Sequence, residues 1–509
     1  MRKNHSKVPL ALAGRALIAS LSIAIGCGAA LPAAAQPQLP TLGDGADLTA
    51  SAERRLGDRI IRELYRDPDY IDDPVLVEYV QTLWQSLLGA ARARGELSPE
   101  LDERFAWEVL LGRDRSVNAF ALPGGYLGVH LGLVGVVTSR DELASVLAHE
   151  LSHVTQRHIA RLMAQQGRVA PWMWGAMILG ALAASKSPGA AQALVIGGQA
   201  AAMQSQLNFS RDMEREADRI GYGLMAPAGF APQGFVSMFD KLQQANRLND
   251  NGSWPYLRSH PLTTQRIADM QARQPPHASA APAAASLEHG LVAARARVLS
   301  NPGVDVLRQW QAEPQGTGFA ALAPQRQGAV LYAAALAASQ LREPVAARAL
   351  LPRLQALAQG DAAAQRQVQL LAAEVELAAG QAGAAQQLVP AGAGRPELLL
   401  RTQALLQTGG SAAMAGPLQT WVAVHPRDAG AWHALASVSQ AQGHRLRAVR
   451  AEAEAHAARY DYAAAVDRFK AGQALARQSS AAGDFVEASI IDTRLRAVES
   501  LLREQAAER

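Results

Sequence analysis

The chain has 509 residues, 49% hydrophobic and 18% charged, so it can build sizeable cores and is too long for one ordinary domain. Its formal charge of +4 belongs to its start: setting aside Arg2, Lys3, Lys7 and Arg15 reduces the 49 Lys and Arg to 45, against 45 Asp and Glu. Such a balance gives no electrostatic case for nucleic acid or acidic lipid, and plentiful Ala with few aromatics favours packed helices over large sheets.

Residues 1–35 read as a cleavable export signal: a basic start, an apolar run from Ala16 to Leu31, and Ala33-Ala34-Ala35 before Gln36. Cys27, the single cysteine, lies within it. One reading discards it with the leader. The other makes it a lipid acceptor, since Gly26 precedes it, although Ala24 stands where such signals usually carry leucine. Neither reading leaves a cysteine pair for an internal disulfide, so stability must come from packing and any bound metal.

Residues 36–47, with two prolines and two glycines, read as a flexible lead-in. Helical spacing follows: Leu56, Ile60, Ile61 and Leu64 form one stripe, and Val77, Val80, Leu83 and Leu87 another. Phe105 to Leu111 is a strand candidate, and Asn118 to Val129 reads as strand, tight turn and strand around Pro123-Gly124-Gly125. Asp141 is the expected N-cap of a helix running through Leu143, Val146 and Leu147 into residues 149–163.

Trp172 to Ala184 carries no charge, but its thirteen residues fall short of the roughly 20 that cross a bilayer. It reads as a buried helix or an apolar flap over a cleft. The uncharged residues 190–210 contain several glutamines and make a poor span; residues 203–225 read as the next helix. Proline and alanine dominate a linker at 273–287, and Ala- and Leu-rich helical segments fill 288–509. There Pro426, Trp432, Leu435, Gly443, Ala448 and Ala455 follow the spacing of a tetratricopeptide repeat, with Glu452 where a large apolar residue is expected.

The strongest chemical signal is His149-Glu150-Leu151-Ser152-His153. On a helix, positions i and i+4 share a face, so both imidazoles can hold one Zn²⁺ with Glu150 beside them as a base for water. A catalytic zinc takes three protein ligands and keeps one position open. Ile159 cannot supply the third, and His158, five residues beyond His153, is expected to point away as a structural or surface histidine. In Ser210-Arg211-Asp212-Met213-Glu214-Arg215-Glu216-Ala217-Asp218, Glu214 and Asp218 share a face, which suits Glu214 to the metal and Asp218 to orienting a ligand histidine. Asp212 and Glu216 are expected as solvated charges on the opposite side.

Residues 149–158 and 210–218, together with Asn118-Ala119-Phe120-Ala121-Leu122-Pro123-Gly124-Gly125, resemble the peptidase family that contains the CAAX prenyl endopeptidase. Within it the chain also resembles periplasmic proteases that enhance β-barrel assembly. The resemblance is good over 48–272 and loose beyond. It implies an α+β zinc metallopeptidase domain at 48–272, mostly helical with a small sheet, followed by an all-α tetratricopeptide-like domain at 288–509. It further implies one Zn²⁺ per chain on His149, His153 and Glu214, with Glu150 as the essential carboxylate. Asp218 matches an aspartate sometimes given as a proton donor, and the orienting role suits its spacing better. His260 matches a histidine that can reach the metal, either closing the open position and holding the enzyme latent or swinging to stabilise the oxyanion. Arg266 follows at the family spacing without a role that its chemistry alone assigns.

The expected reaction is endoproteolysis in the periplasm, with the strand at Phe120 holding substrate extended by β-addition. The resemblance implies unfolded or stalled outer-membrane proteins as substrates and the barrel assembly machinery as a partner of the repeats. Peripheral membrane contact is compatible with this. Two other readings stand beside it: a periplasmic chaperone or scaffold acting through its repeats with a latent protease site, and a membrane-embedded protease, which the lack of a long apolar span after residue 35 disfavours.

Overall fold

The computed structural model describes residues 48–165, 171–186, 209–247, 253–274, 286–300, 302–390, 392, 394–478 and 484–507. The leader with Cys27, the lead-in at 36–47, most of the 273–287 linker and the uncharged stretch from 187 to 208 lie outside the described residues.

Two long helices open the fold, α1 (Ala50–Arg66) and α2 (Pro74–Ala93), joined through the short strand β1 (Tyr70–Ile71). Each starts on a polar cap: the Thr49 hydroxyl accepts the Ala52 N–H, and the Asp73 carboxylate accepts that of Leu76 ahead of a helix-starting Pro74. Leu56, Ile60 and Ile61 of the first predicted stripe and Val80, Leu83 and Leu87 of the second are buried, while Leu64 and Val77 are only partly buried against the same core.

After α3 (Pro99–Arg104) come β2 (Glu108–Gly112), β3 (Ala119–Leu122) and β4 (Tyr126–His130). The strand expected at Phe105–Leu111 begins three residues later, because Trp107 takes a left-handed backbone (φ 52°) that interrupts an extended run. The sheet order is β1-β2-β4-β3: β2 and β4 are parallel, and both outer pairs are antiparallel. Thus β3 is an edge strand. It joins β4 through Pro123-Gly124-Gly125, and both glycines have positive φ that other residues adopt at a cost.

After α4 (Leu131–Val136), helix α5 (Arg140–Thr155) carries the two motif histidines. It is capped by Ser139, whose hydroxyl accepts the Glu142 N–H; Asp141, the expected cap, lies inside the first turn and accepts the Ala231 N–H instead. Every residue of α5 from Asp141 to Thr155 is buried, so the motif sits on a central helix rather than a surface one. The helix stops where Arg157 turns left-handed (φ 52°), and α6 (His158–Gln165) starts in a new direction.

Helix α7 (Pro171–Lys186) packs on α1 through Gly175, near Leu56 and Ile60, and buries Trp174, Met177 and Ile178. Among the described residues no helix is long and apolar enough to cross a membrane. Helices α8 (Arg211–Met225) and α9 (Gln233–Arg247) flank α5, and α10 (Tyr256–Ser259) and α11 (Thr264–Ala272) close this part.

The remaining helices are α12 (Leu287–Leu299), α13 (Val304–Ala312), α14 (Pro324–Gln340), α15 (Pro344–Leu357), α16 (Ala362–Ala378), α17 (Ala382–Leu388), α18 (Arg395–Thr408), α19 (Ala415–Val424), α20 (Ala429–Ala441), α21 (Arg445–Ala458), α22 (Tyr462–Ala476) and α23 (Asp484–Ala507). Most pack on their neighbours in sequence. Their turns share one device. Arg342, Gly360, Gly380, Gly443 and Tyr460 are left-handed just past a helix end, and the next helix begins two residues later.

These helices also lock onto the first part of the chain. Arg295 of α12 forks onto Asp73 at 2.8 and 2.6 Å and onto Glu374 at 2.8 Å. Arg395 reaches Asp72 and Asp428, and Arg366 joins Glu78 to Glu397. Near the β3–β4 turn, the Tyr126 hydroxyl bonds to Asp58 at 2.6 Å and meets the Tyr460 hydroxyl at 2.5 Å. Such buried and half-buried pairs add little net stability, but losing one partner of a buried one such as Arg295–Asp73 is expensive, so together they fix how the helices sit on the first part of the chain.

Candidate metal centre

The site forms where α5, α8 and the loop after α10 meet under the edge strand. From α5, His149 and His153 project from one face, and their Nε2 atoms converge to 3.0 Å. Glu214 enters from the first turn of α8, which Ser210 caps through the Met213 N–H; its carboxylate lies 3.5 Å from His149 Nε2 and 3.4 Å from His153 Nε2. His260 follows α10 and places Nδ1 3.0 Å from Glu214 and 3.3 Å from His149 Nε2. One donor atom from each of His149, His153, Glu214 and His260 lies within 4.8 Å of all the others, and all four residues are buried.

The donor set suits a cation. Asp218 Oδ1 stands 2.9 Å from His149 Nδ1, imperfectly aligned, and favours a proton there; this turns the Nε2 lone pair inward. Behind His153, Nδ1 meets His158 Nδ1 at 2.9 Å. Burial alone disfavours a charged His149, but the carboxylates of Asp218 and Glu214 outweigh it and push the ring up to about 10. The same field favours a positive ion at this point. His153, where burial dominates, is held well below the usual histidine range and so stays neutral as a ligand must. Burial opposes ionisation of Glu214 too, yet His260, His149 and His153 hold it well below the usual carboxylate range. A buried group of three imidazoles and one carboxylate can therefore bind a metal ion.

Glu150 is fully buried beside the cluster. One carboxylate oxygen accepts the Ala121 N–H of β3 at 2.9 Å; the other has no hydrogen-bond partner among the described residues and lies 3.4 Å from His260 Nε2. The edge strand thus fixes the orientation of the carboxylate and leaves one oxygen free for a proton.

The structure brings together all six expected residues: His149, Glu150, His153, Glu214, Asp218 and His260. It corrects two neighbours. His158 does not turn away: because the helix breaks at Arg157, its buried ring swings back onto His153, while Nε2 pairs with Glu216 at 3.0 Å. Glu216 is accordingly not a freely solvated charge, since it also binds Arg161 at 2.8 Å; Asp212 is exposed as expected.

Arg266, which sequence chemistry leaves without a role, is the clamp of the centre. Its guanidinium forks onto Asp218 at 2.7 and 2.8 Å, reaches Glu214 at 2.8 Å, and donates to the Pro261 carbonyl at 2.9 Å. Burial disfavours the charge of Asp218, but Arg266 overcomes it and keeps the carboxyl below the usual range. The cation thus holds two carboxylates in place behind the histidines.

Residues 82–274 match the model of peptidase family M48. With the site inside them, these residues are a metalloprotease domain of that kind. The chain is 36% identical over 348 residues, 66% of each protein, to the "Putative beta-barrel assembly-enhancing protease" of Vibrio cholerae serotype O1. It is 34% identical over 261 residues to the beta-barrel assembly-enhancing protease of Escherichia coli (strain K12), covering 50% of this chain and 52% of the relative. Over 164 residues it is 33% identical to the mitochondrial metalloendopeptidase OMA1 of Arabidopsis thaliana, 32% of this chain and 31% of that protein. The chain thus spans between about half and two thirds of the length of the two bacterial relatives.

Proposed function

We infer that the protein is a periplasmic zinc endopeptidase that degrades misfolded or stalled outer-membrane proteins and supports barrel assembly. The observation that carries this reading is the convergence of His149, His153 and Glu214 beside a buried Glu150 that is steered by the edge strand. His149, His153 and Glu214 would hold one Zn²⁺, which when bound polarises a substrate carbonyl and acidifies water. Asp218 and Arg266 hold the ligands in register. The free oxygen of Glu150 takes a proton from the attacking water and passes it to the leaving amine.

The edge strand β3 supports the substrate class. Its inner side pairs with β4, and the Ala121 N–H points the other way, toward Glu150, so the outer edge faces the site. The Ala121 N–H itself is held by Glu150, but an extended peptide can add along the rest of that edge, which suits unfolded chains better than folded ones. The names of the bacterial relatives support outer-membrane proteins as those chains. The regularly turned helices of 288–509 suit a tetratricopeptide-like domain that docks on the assembly machinery, with 273–287 as the linker from a peptidase domain at 48–272 and residues 1–35 as a signal removed on export.

A second reading is favoured by His260, which already occupies the cluster: the enzyme rests latent, and the repeats act as a chaperone or scaffold. One experiment tests both. Zinc-loaded protein should cut unfolded barrel protein and casein but not a folded control, and His260→Ala should raise the rate. A zinc-loaded parent and His260→Ala that both fail to cut would remove the protease reading. An unchanged or lower rate in His260→Ala beside an active parent would remove latency alone.

A further inference from the structure

An apolar pocket of about 110 Å³ opens beside the centre. Phe120 and Leu122 of β3, Ile159 and Leu162 of α6, and Trp174 and Ile178 of α7 line it, and His260 stands at its edge. Among the described lining residues only Arg258 carries a permanent charge, and it is solvent-exposed. The pocket is therefore built to exclude a charged side chain and to strip water from an apolar one.

Its place decides what enters. A peptide laid along β3 turns alternate side chains to the face of Phe120 and Leu122, so one residue in two is presented to the pocket. Ala121, whose N–H orients Glu150, also lines it, so the residue presented stands next to the bond under attack. The volume is somewhat below the ~150 Å³ of a closed cavity that takes a benzene ring, and this pocket is open at its mouth. Leucine, methionine and phenylalanine are matched in size; glycine and alanine would leave a void.

Helix α7 supplies the far wall and a polar feature. Trp174 is 1% exposed, and its indole N–H has no hydrogen-bond partner among the described residues. A buried donor without a partner is costly, and a bound group that offered it an acceptor would relieve that cost.

We propose that this pocket sets cleavage specificity, taking a large apolar side chain at the residue adjoining the scissile bond, with Trp174 and Ile178 as its determinants. The proposal rests on the protease reading above. It extends that reading to the substrate, because strands that alternate apolar and polar residues would present such side chains at every second position.

The test maps cut sites in unfolded protein by mass spectrometry and then varies one flanking residue in a host peptide, using full-length zinc-loaded protein. Leu, Met or Phe should exceed Gly or Asp by at least about 10-fold in kcat/KM at one position beside the cut. Ile178→Trp, which fills the pocket, should move the preference to Ala and Gly with zinc content unchanged. Trp174→Phe, which removes only the N–H and some bulk, should raise KM several-fold while the apolar preference persists. If turnover is too slow to map, the same peptides are ranked by Kd against Glu150→Gln, where the same order is expected. Cleavage or binding indifferent to the varied residue, or unmoved in both variants, would overturn the pocket proposal and leave the protease reading standing. Zinc-loaded protein that neither cuts nor binds any peptide would overturn both.

Discussion

Glu150→Gln should lower proteolysis by about 10²- to 10⁴-fold while leaving metal content at the parent's level. The amide keeps a carbonyl oxygen for the Ala121 N–H, so the side chain stays where the carboxylate now lies, 2.9 Å from that donor. What it loses is the second oxygen, the one without a partner, as a proton acceptor. Metal analysis and initial rates on unfolded casein check the two halves separately. A variant that retains more than about a tenth of the parent rate would show that Glu150 is not the base.

Arg266→Ala should have the largest effect on stability of any single change at the site. It leaves Asp218 and Glu214, both about 1% exposed, without the guanidinium that now contacts them at 2.7 to 2.8 Å. Removing one partner of a buried ion pair costs about 3–5 kcal/mol, and here one cation serves two anions. Arg266→Lys should recover part of that loss, because an ammonium keeps the charge but cannot fork onto Asp218. Urea unfolding of parent and variants, with and without chelator, measures the difference. A loss below about 1 kcal/mol in the chelated protein would mean that the clamp is not needed to hold the carboxylates.

The parts of the site that lie on helices are legible in the sequence because helical spacing is a geometric rule. His149 and His153, and Glu214 and Asp218, stand four apart and share faces, and the structure turns the two faces toward each other. Loop residues obey no such period. His260 and Arg266 are legible in the sequence only through family resemblance, and only the folded structure shows Arg266 gripping two carboxylates. His158 is misread by a helix rule that the left-handed Arg157 suspends. Ser139 takes the cap expected of Asp141 because both are good caps and only packing against Ala231 separates them. The two-residue strand β1 is too short to leave a pattern. Among the C-terminal helices, length and turn position are readable, while the ion pairs that fasten them to α2 join residues hundreds of positions apart and leave no local trace.

The most direct test is an anomalous-scattering map of zinc-loaded crystals at the zinc edge. One strong peak per chain is expected, bonded at about 2.0–2.2 Å to His149 Nε2, His153 Nε2 and a Glu214 oxygen, with Glu150 outside bonding distance. Zinc bound elsewhere with this cluster empty, or a cluster ligated without Glu214, would contradict it.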